Sequence, residues 1–281
     1  MKKKIIIGTA NFGFPYGISK SKIKVKKKEI FKILNFAKSQ GINTLDTAIN
    51  YGQSEKILGE YGLKKWRVIT KLPTLKNNDN LEKLIKKSLN KLKINQIDTL
   101  LFHDTKQIIG KNGRKIFNNI LKIKKKGLIK KIGFSVYTPN QVKKITKNFN
   151  FQVLQCPYNI IDRRMDNSGI FKTLKKKKVE IHVRSIFLKG LLLLKKNKIP
   201  KRFYKWKNLF KNYHDFATEN KITAQEICIN FALSNNSISK LVIGLNNKNQ
   251  LKELISIKKI KINYPTKIQT TDTKLINPSN W

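Results

Sequence analysis

Two cysteines in 281 residues, Cys156 and Cys228, are too few for a disulfide scaffold, and neither has a partner at metal-ligand spacing. Histidine is almost as scarce. His103, His182 and His214 lie far apart, with no His-x-His or His-Glu-x-x-His spacing, so no metal site is expected. Apolar runs are short: the longest, residues 190–194, falls far below the ~18 residues a membrane span needs. The basic start, Met1-Lys2-Lys3-Lys4, is followed by no apolar segment of the ~7–15 residues that a signal peptide requires. Unpaired cysteines and no export signal predict a cytoplasmic protein without a membrane partner. Glycine is sparse where a dinucleotide fold would need it. Gly8-Thr9-Ala10-Asn11-Phe12-Gly13 has too few glycines after the first predicted strand, and no helix is expected to follow it.

Acidic residues are also rare, with 16 Asp+Glu against 61 Lys+Arg and a formal net charge of +45. Such a balance invites a nucleic-acid reading. Arginine argues against it, because only six of the basic residues are Arg, and base or phosphate recognition leans on its planar fork. The lysines are spread over nearly every helical segment among abundant Ile and Asn. They read as a solvated basic surface that attracts polyanions incidentally, with no specific nucleic-acid partner.

What the chain does have is alternation. Apolar runs of strand length at residues 5–8, 43–46, 67–71, 99–102, 131–135, 152–155, 180–184 and 241–244 are separated by segments of helical period. Those segments cover 26–39, 80–92, 114–126, 140–148, 168–177, 223–234 and 247–258. Ile30, Ile33, Leu34 and Ala37 share one face of the first. Eight strands alternating with about eight helices predict parallel pairing through right-handed crossovers, the arithmetic of a (β/α)8 TIM barrel in a single domain. An extra helix is expected over 203–220, and residues 260–281 read as a tail across one end.

In such a barrel the chemistry gathers where strands end. Strand two ends in Asp46 with Tyr51 five residues on, strand three ends in Lys71, and strand four runs into His103. Each alone has an ordinary explanation: a turn former, a loop aromatic, a snorkelling lysine, a core histidine. On consecutive strand ends they form a proton-donating group. A free phenol, with a pKa near ~10, is a poor acid at neutral pH, and an adjacent ammonium favours its ionised form. Asp46 would hold Lys71 charged, and His103 would donate a hydrogen bond where negative charge develops on a carbonyl oxygen. Such a group needs either an external reductant or a Schiff base, which Lys71 itself could form; the residues alone leave both open.

The run Leu45-Asp46-Thr47-Ala48-Ile49-Asn50-Tyr51-Gly52-Gln53-Ser54-Glu55, with Leu58-Gly59 beyond it, resembles the signature of the aldo-keto reductases. Ile69-Thr70-Lys71 is similar to that family's lysine strand and Leu100-Leu101-Phe102-His103-Asp104 to its histidine strand. The resemblance covers residues 5–254. It implies a catalytic tetrad of Asp46, Tyr51, Lys71 and His103, NADPH (or NADH) as reductant, and a small-molecule carbonyl as substrate. It also implies a set of cofactor contacts. Ser135 and Gln155 would hold the nicotinamide carboxamide, and Val136 stands where the family commonly has Asn. Arg184, Ser185, Phe187, Leu188 and Gly190 belong to the loop that packs on the nicotinamide and binds the pyrophosphate, with Arg184 where many members carry Tyr. Gly244, Asn246 and Gln250 meet the adenosine end. Members that prefer NADP usually have Arg at the position of Gln250, and Lys248 is close enough in sequence to replace it as a point charge. The segments 8–18 and 184–192 resemble a bacterial subgroup associated with sugar or surface-polysaccharide gene clusters, which implies a sugar-type carbonyl. Arg163 and Arg164 either face such a substrate or pair with Asp162 or Asp166. The alternative to an enzyme is a cofactor-binding regulatory barrel with little turnover.

Overall fold

The computed structural model describes residues 1–18, 24–75 and 80–281. Its strands are β1 (Ile5–Gly8), β2 (Thr44–Asp46), β3 (Arg67–Leu72), β4 (Ile97–Phe102), β5 (Ile129–Ser135), β6 (Val153–Pro157), β7 (Glu180–Arg184) and β8 (Lys240–Gly244). Each pairs in parallel with the next, and β8 returns to β1, closing the expected barrel. The strands are wrapped by α1 (Lys27–Ser39), α2 (Ser54–Tyr61), α3 (Leu81–Leu92), α4 (Gly113–Lys125), α5 (Pro139–Asn148), α6 (Ile170–Lys176), α8 (Ala224–Ser234) and α9 (Lys248–Ser256). The extra helix between β7 and α8 is α7 (Lys207–Glu219), preceded by a 3-10 turn at Lys201–Trp206.

Local sequence explains these elements. On α1 the residues Ile30, Ile33, Leu34 and Ala37 are fully buried, the face that the period predicts. Burying each Ile or Leu contributes about 1.5–3 kcal/mol. Reciprocal capping boxes start two helices, Thr138 with Gln141 at α5 and Thr223 with Glu226 at α8. Asn80 caps α3 by accepting from the Lys83 amide at 3.0 Å. Helix α2 has no counterpart among the segments read from sequence. It is short, and its first turn buries Ser54 and Glu55, polar residues that hide the apolar stripe. A second difference follows β1, where a four-residue helical turn, Ala10–Gly13, replaces the loop expected there.

Strand pleating decides what faces the barrel axis. Ile6, Ile69, Leu101 and Val153, with Val242 beside them, form a small interior plug separate from the main core under the helices. Side chains alternate with period two, so the next inward positions towards the strand ends are Gly8, Lys71, His103, Gln155 and Gly244. The predicted site residues therefore stand on the layer directly above the plug. The tail is held to the loop after β6: Arg163 donates to the carbonyls of Tyr264 (3.4 Å) and Pro265 (2.9 Å) and stacks 4.9 Å from the Phe231 ring. No described helix is long and apolar enough to cross a membrane.

Candidate active site

Lys71 is the one buried lysine among the described residues, 1% exposed. Its ammonium lies 2.5 Å from Asp46 Oδ1 and donates to the Thr47 carbonyl at 2.8 Å. From the far side of the barrel, Gln155 Nε2 donates to Asp46 Oδ2 at 2.7 Å. Both oxygens of the carboxylate are thus engaged, which fixes its plane and, through it, the lysine. Burial disfavours the ammonium, but Asp46 and Tyr51 beside it outweigh that penalty and raise the Lys71 pKa. The charge persists.

Tyr51 sits above this pair, its ring centroid 5.0 Å from Lys71 Nζ. His103 meets the same ring edge-on at 5.9 Å, and Phe14 packs on it at 5.7 Å. Gly13 makes the approach of that loop possible. A Cβ there would stand 1.8 Å from the Tyr51 carbonyl oxygen. Burial, then the charges of Lys71 and Arg184, push the His103 pKa down to about 4, so its imidazole is neutral at pH 7. A neutral ring can still donate one hydrogen bond. Glu55, next to the tyrosine turn, points away from the mouth and accepts from Thr70 (2.8 Å) and Ser88 (2.6 Å), tying α2 to β3 and α3.

A cleft of about 340 Å³ opens over Asp46 and Tyr51 and runs past Gln155 and the 184–190 segment to Gly244, Asn246, Gln250 and Glu253. The 184–190 loop is strained: Ser185, Leu188 and Lys189 have φ of 58°, 47° and 55°, and Gly190 has 94°. Left-handed non-glycine residues cost on the order of 1–3 kcal/mol each and gather where a ligand is held. Two buried side-chain oxygens in the cleft lack partners among the described residues, Gln155 Oε1 and Asn11 Oδ1. At Gly244 a Cβ would meet nothing within 4 Å, leaving open space over the strand end. Unpaired acceptors, an open strand end and a strained loop fit an elongated, polar organic group.

A model of the aldo/keto reductase family matches residues 4–268. The chain belongs to this family. An oxidoreductase of Bacillus subtilis (strain 168), YqkF, whose own activity is uncharacterized, is 24% identical over 90% of each chain. Among solved structures, aldo-keto reductase AKR11C1 from Bacillus halodurans in its holo form is similar at a TM-score of 0.73 and 19% identity, covering 92% of this chain and 88% of that one. The glycerol dehydrogenase AKR11B4 from Gluconobacter oxydans is similar at 0.70 and 19%, with the same coverage. The protein is therefore an oxidoreductase with the aldo-keto reductase barrel, a family that generally uses NAD(P)H to reduce small-molecule carbonyls.

Of the residues expected from sequence in this aldo-keto reductase, Asp46, Tyr51, Gln155, Arg184, Ser185, Phe187, Gly190, Gly244, Asn246 and Gln250 line the cleft. Lys71 and His103 stand behind and beside Tyr51. Ser135 is buried next to Gln155 in the β5–β6 register without lining the cleft. Leu188 is wholly buried and shapes the loop from behind. Arg164 pairs with Asp162 through Nε at 2.8 Å and Nη2 at 3.0 Å, and Arg163 is spent on the tail, so the pair is structural. Sequence reasoning missed Asn11, which donates to the Leu245 carbonyl (2.5 Å) and Asn246 Oδ1 (2.9 Å), and Glu253 at the far end. Asn11 lies in the segment set aside for lacking a glycine fingerprint.

Proposed function

We propose that the protein reduces an aldehyde or ketone, of sugar type, to an alcohol, with Tyr51 as proton donor. The buried Asp46–Lys71 pair beside Tyr51 and His103 is the observation that carries this reading. A reduced nicotinamide supplies the hydride. Its carboxamide would be held by Gln155, whose Oε1 has no partner among the described residues, and by Ser135; Ser185, Phe187, Leu188 and Gly190 would hold the middle of the dinucleotide, and Arg184 would stand at its nicotinamide end beside Tyr51. Gly244, Asn246 and Gln250 would hold the adenosine end. The substrate carbonyl accepts from Tyr51 and His103. As its carbon gains the hydride, the C=O pair moves onto oxygen, which takes the Tyr51 proton. Lys71 stabilises the negative charge left on the phenol oxygen, and Asp46 keeps Lys71 charged and in place. Solvent returns the proton to Tyr51. A positioned acid of this kind contributes on the order of 10²–10⁴-fold.

The preferred reductant in this reading is NADH. Gln250 accepts from the Asn246 amide at 2.8 Å, and the Lys248 ammonium lies over the Phe36 ring at 5.7 Å, outside the cleft. Among the described residues no guanidinium lines this end of the cleft to pair with a 2′-phosphate, and Glu253 lines it instead.

The test is Tyr51→Phe. Cofactor still quenches tryptophan fluorescence on binding to the variant, while turnover of every carbonyl in a broad panel is lost. Retained turnover overturns the mechanism.

A further inference from the structure

We propose that the carbonyl substrate carries a negatively charged group, a carboxylate or a phosphate, and that Arg184 holds it; this rests on the cleft being where a carbonyl is reduced. Of the six arginines, Arg184 alone lines the cleft, together with Tyr51 and Asp46. Its side chain is partly buried and pairs with no carboxylate among the described residues. A guanidinium has five N–H donors. Those of Arg184 reach the Val136 carbonyl at 3.2 Å, Ser185 Oγ at a long 3.4 Å and the Tyr137 hydroxyl, and none of these partners is a carboxylate.

The guanidinium is nonetheless aimed. Its carbon lies 4.2 Å from the centroid of the Tyr137 ring, a stack that fixes its plane at the end of β7. Its charge depresses the Tyr137 phenol below the usual range against the effect of burial, and it is one of the groups holding His103 neutral. Arg184 therefore acts at the proton-donating end of the cleft. A half-buried cation without a counter-ion is costly unless a ligand supplies the missing charge. The remaining arginines show the contrast: Arg164 is satisfied by Asp162, Arg163 by backbone carbonyls, and Arg67, Arg114 and Arg202 are exposed.

Paired substrates test this, since the members of a pair share a carbon skeleton and carbonyl and differ in the anionic group: D-glyceraldehyde against its 3-phosphate, and butyraldehyde against succinate semialdehyde. With the wild type at ~0.2 M salt, kcat/KM for the anionic member exceeds that for the neutral one by roughly 10–100-fold. Arg184→Met collapses the ratio through KM of the anionic member, and Arg184→Lys restores part of it, a point charge replacing a fork. Diffuse attraction by the basic surface cancels in that comparison, because one charge in +45 is removed. A second readout does not need turnover. The Arg184 side-chain Nε–H NMR signal, assigned from Arg184→Met, shifts saturably with inorganic phosphate or malonate in the presence of NAD⁺, whereas that of exposed Arg114 does not. The pair that responds tells phosphate from carboxylate.

Equal kcat/KM within pairs, unmoved by Arg184→Met, overturns the inference while leaving carbonyl reduction standing. A signal that responds only without NAD⁺ also overturns it, since Arg184 then serves the cofactor phosphates. Saturable anion binding with no turnover of any pair overturns the carbonyl reading and leaves the anion site.

Discussion

Lys71 Nζ lies 2.5 Å from Asp46 Oδ1 in a layer of the barrel where the carboxylate's other oxygen is taken by Gln155 from the opposite wall. The pair comes from adjacent strands but not from adjacent register positions. Asp46 is level with Ile69, so Lys71 stands one pleat higher and reaches back down. That offset leaves the lysine stem under Tyr51 and its charge 5.0 Å from the phenol ring centroid.

Removing one partner of such a pair leaves the other buried and uncompensated, at about 3–5 kcal/mol. Asp46→Asn and Lys71→Met should each lower the unfolding free energy obtained from urea denaturation by an amount in that range. The double variant should recover part of the loss, since neither charge is then stranded. Turnover should fall in all three. Additive losses in the double variant would mean that the two side chains do not act as a pair.

His103 gives a pH dependence whose sign is fixed. Its pKa is about 4 in the folded chain and ~6.5 in the unfolded one. Between these values the unfolded chain binds more protons, so stability rises with pH through the window. The contribution is complete above ~6.5 and is lost as pH falls towards about 4. Urea midpoints measured from pH 7 to pH 4.5 should fall less steeply for His103→Asn than for the wild type. An imidazole NMR signal of His103 titrating near ~6.5 would show that the ring is not desolvated.

Gly13 controls the site without touching a ligand. A methyl there collides with the Tyr51 carbonyl at 1.8 Å, and since the atom it meets is backbone, the turn must move. Gly13→Ala should cut kcat/KM on the order of 100-fold, the effect of displacing a reacting group by ~1 Å. Gly110→Ala is the control, because its φ is −77° and a Cβ meets nothing closer than 3.6 Å. Equal activity in the two variants would separate Gly13 from the position of Tyr51.

The barrel was legible because parallel strands buried on both faces read as apolar runs, and their ends fall at countable positions. Asp46, Lys71 and His103 followed from that count, and the tyrosine turn from its motif. Helix α2 was not legible, since Glu55 is buried by hydroxyl partners on β3 and α3 that only the fold brings near. Asn11 and Glu253 join the cleft from segments 242 residues apart in the chain. Nothing local marks either. The two adjacent arginines drew notice by rarity, yet the arginine in the cleft is Arg184, and rarity does not separate it from Arg163 and Arg164.

Cofactor choice turns on the far end of the cleft. Glu253 lines it and Lys248 does not, so a 2′-phosphate would meet a carboxylate and no guanidinium. The wild type should therefore bind NADH at least as tightly as NADPH, measured by fluorescence titration at ~0.15 M salt, where the +45 surface is screened beyond ~8 Å. Gln250→Arg with Glu253→Gln supplies a fork and removes the opposing charge, and should tighten NADPH by roughly 10–100-fold while leaving NADH nearly unchanged. Glu253→Gln alone should give part of that gain, by lifting repulsion without adding a donor to match the phosphate. A wild type that binds NADPH ten times more tightly than NADH, on the order of 1.4 kcal/mol, would require a phosphate contact from another residue and would reverse the assignment.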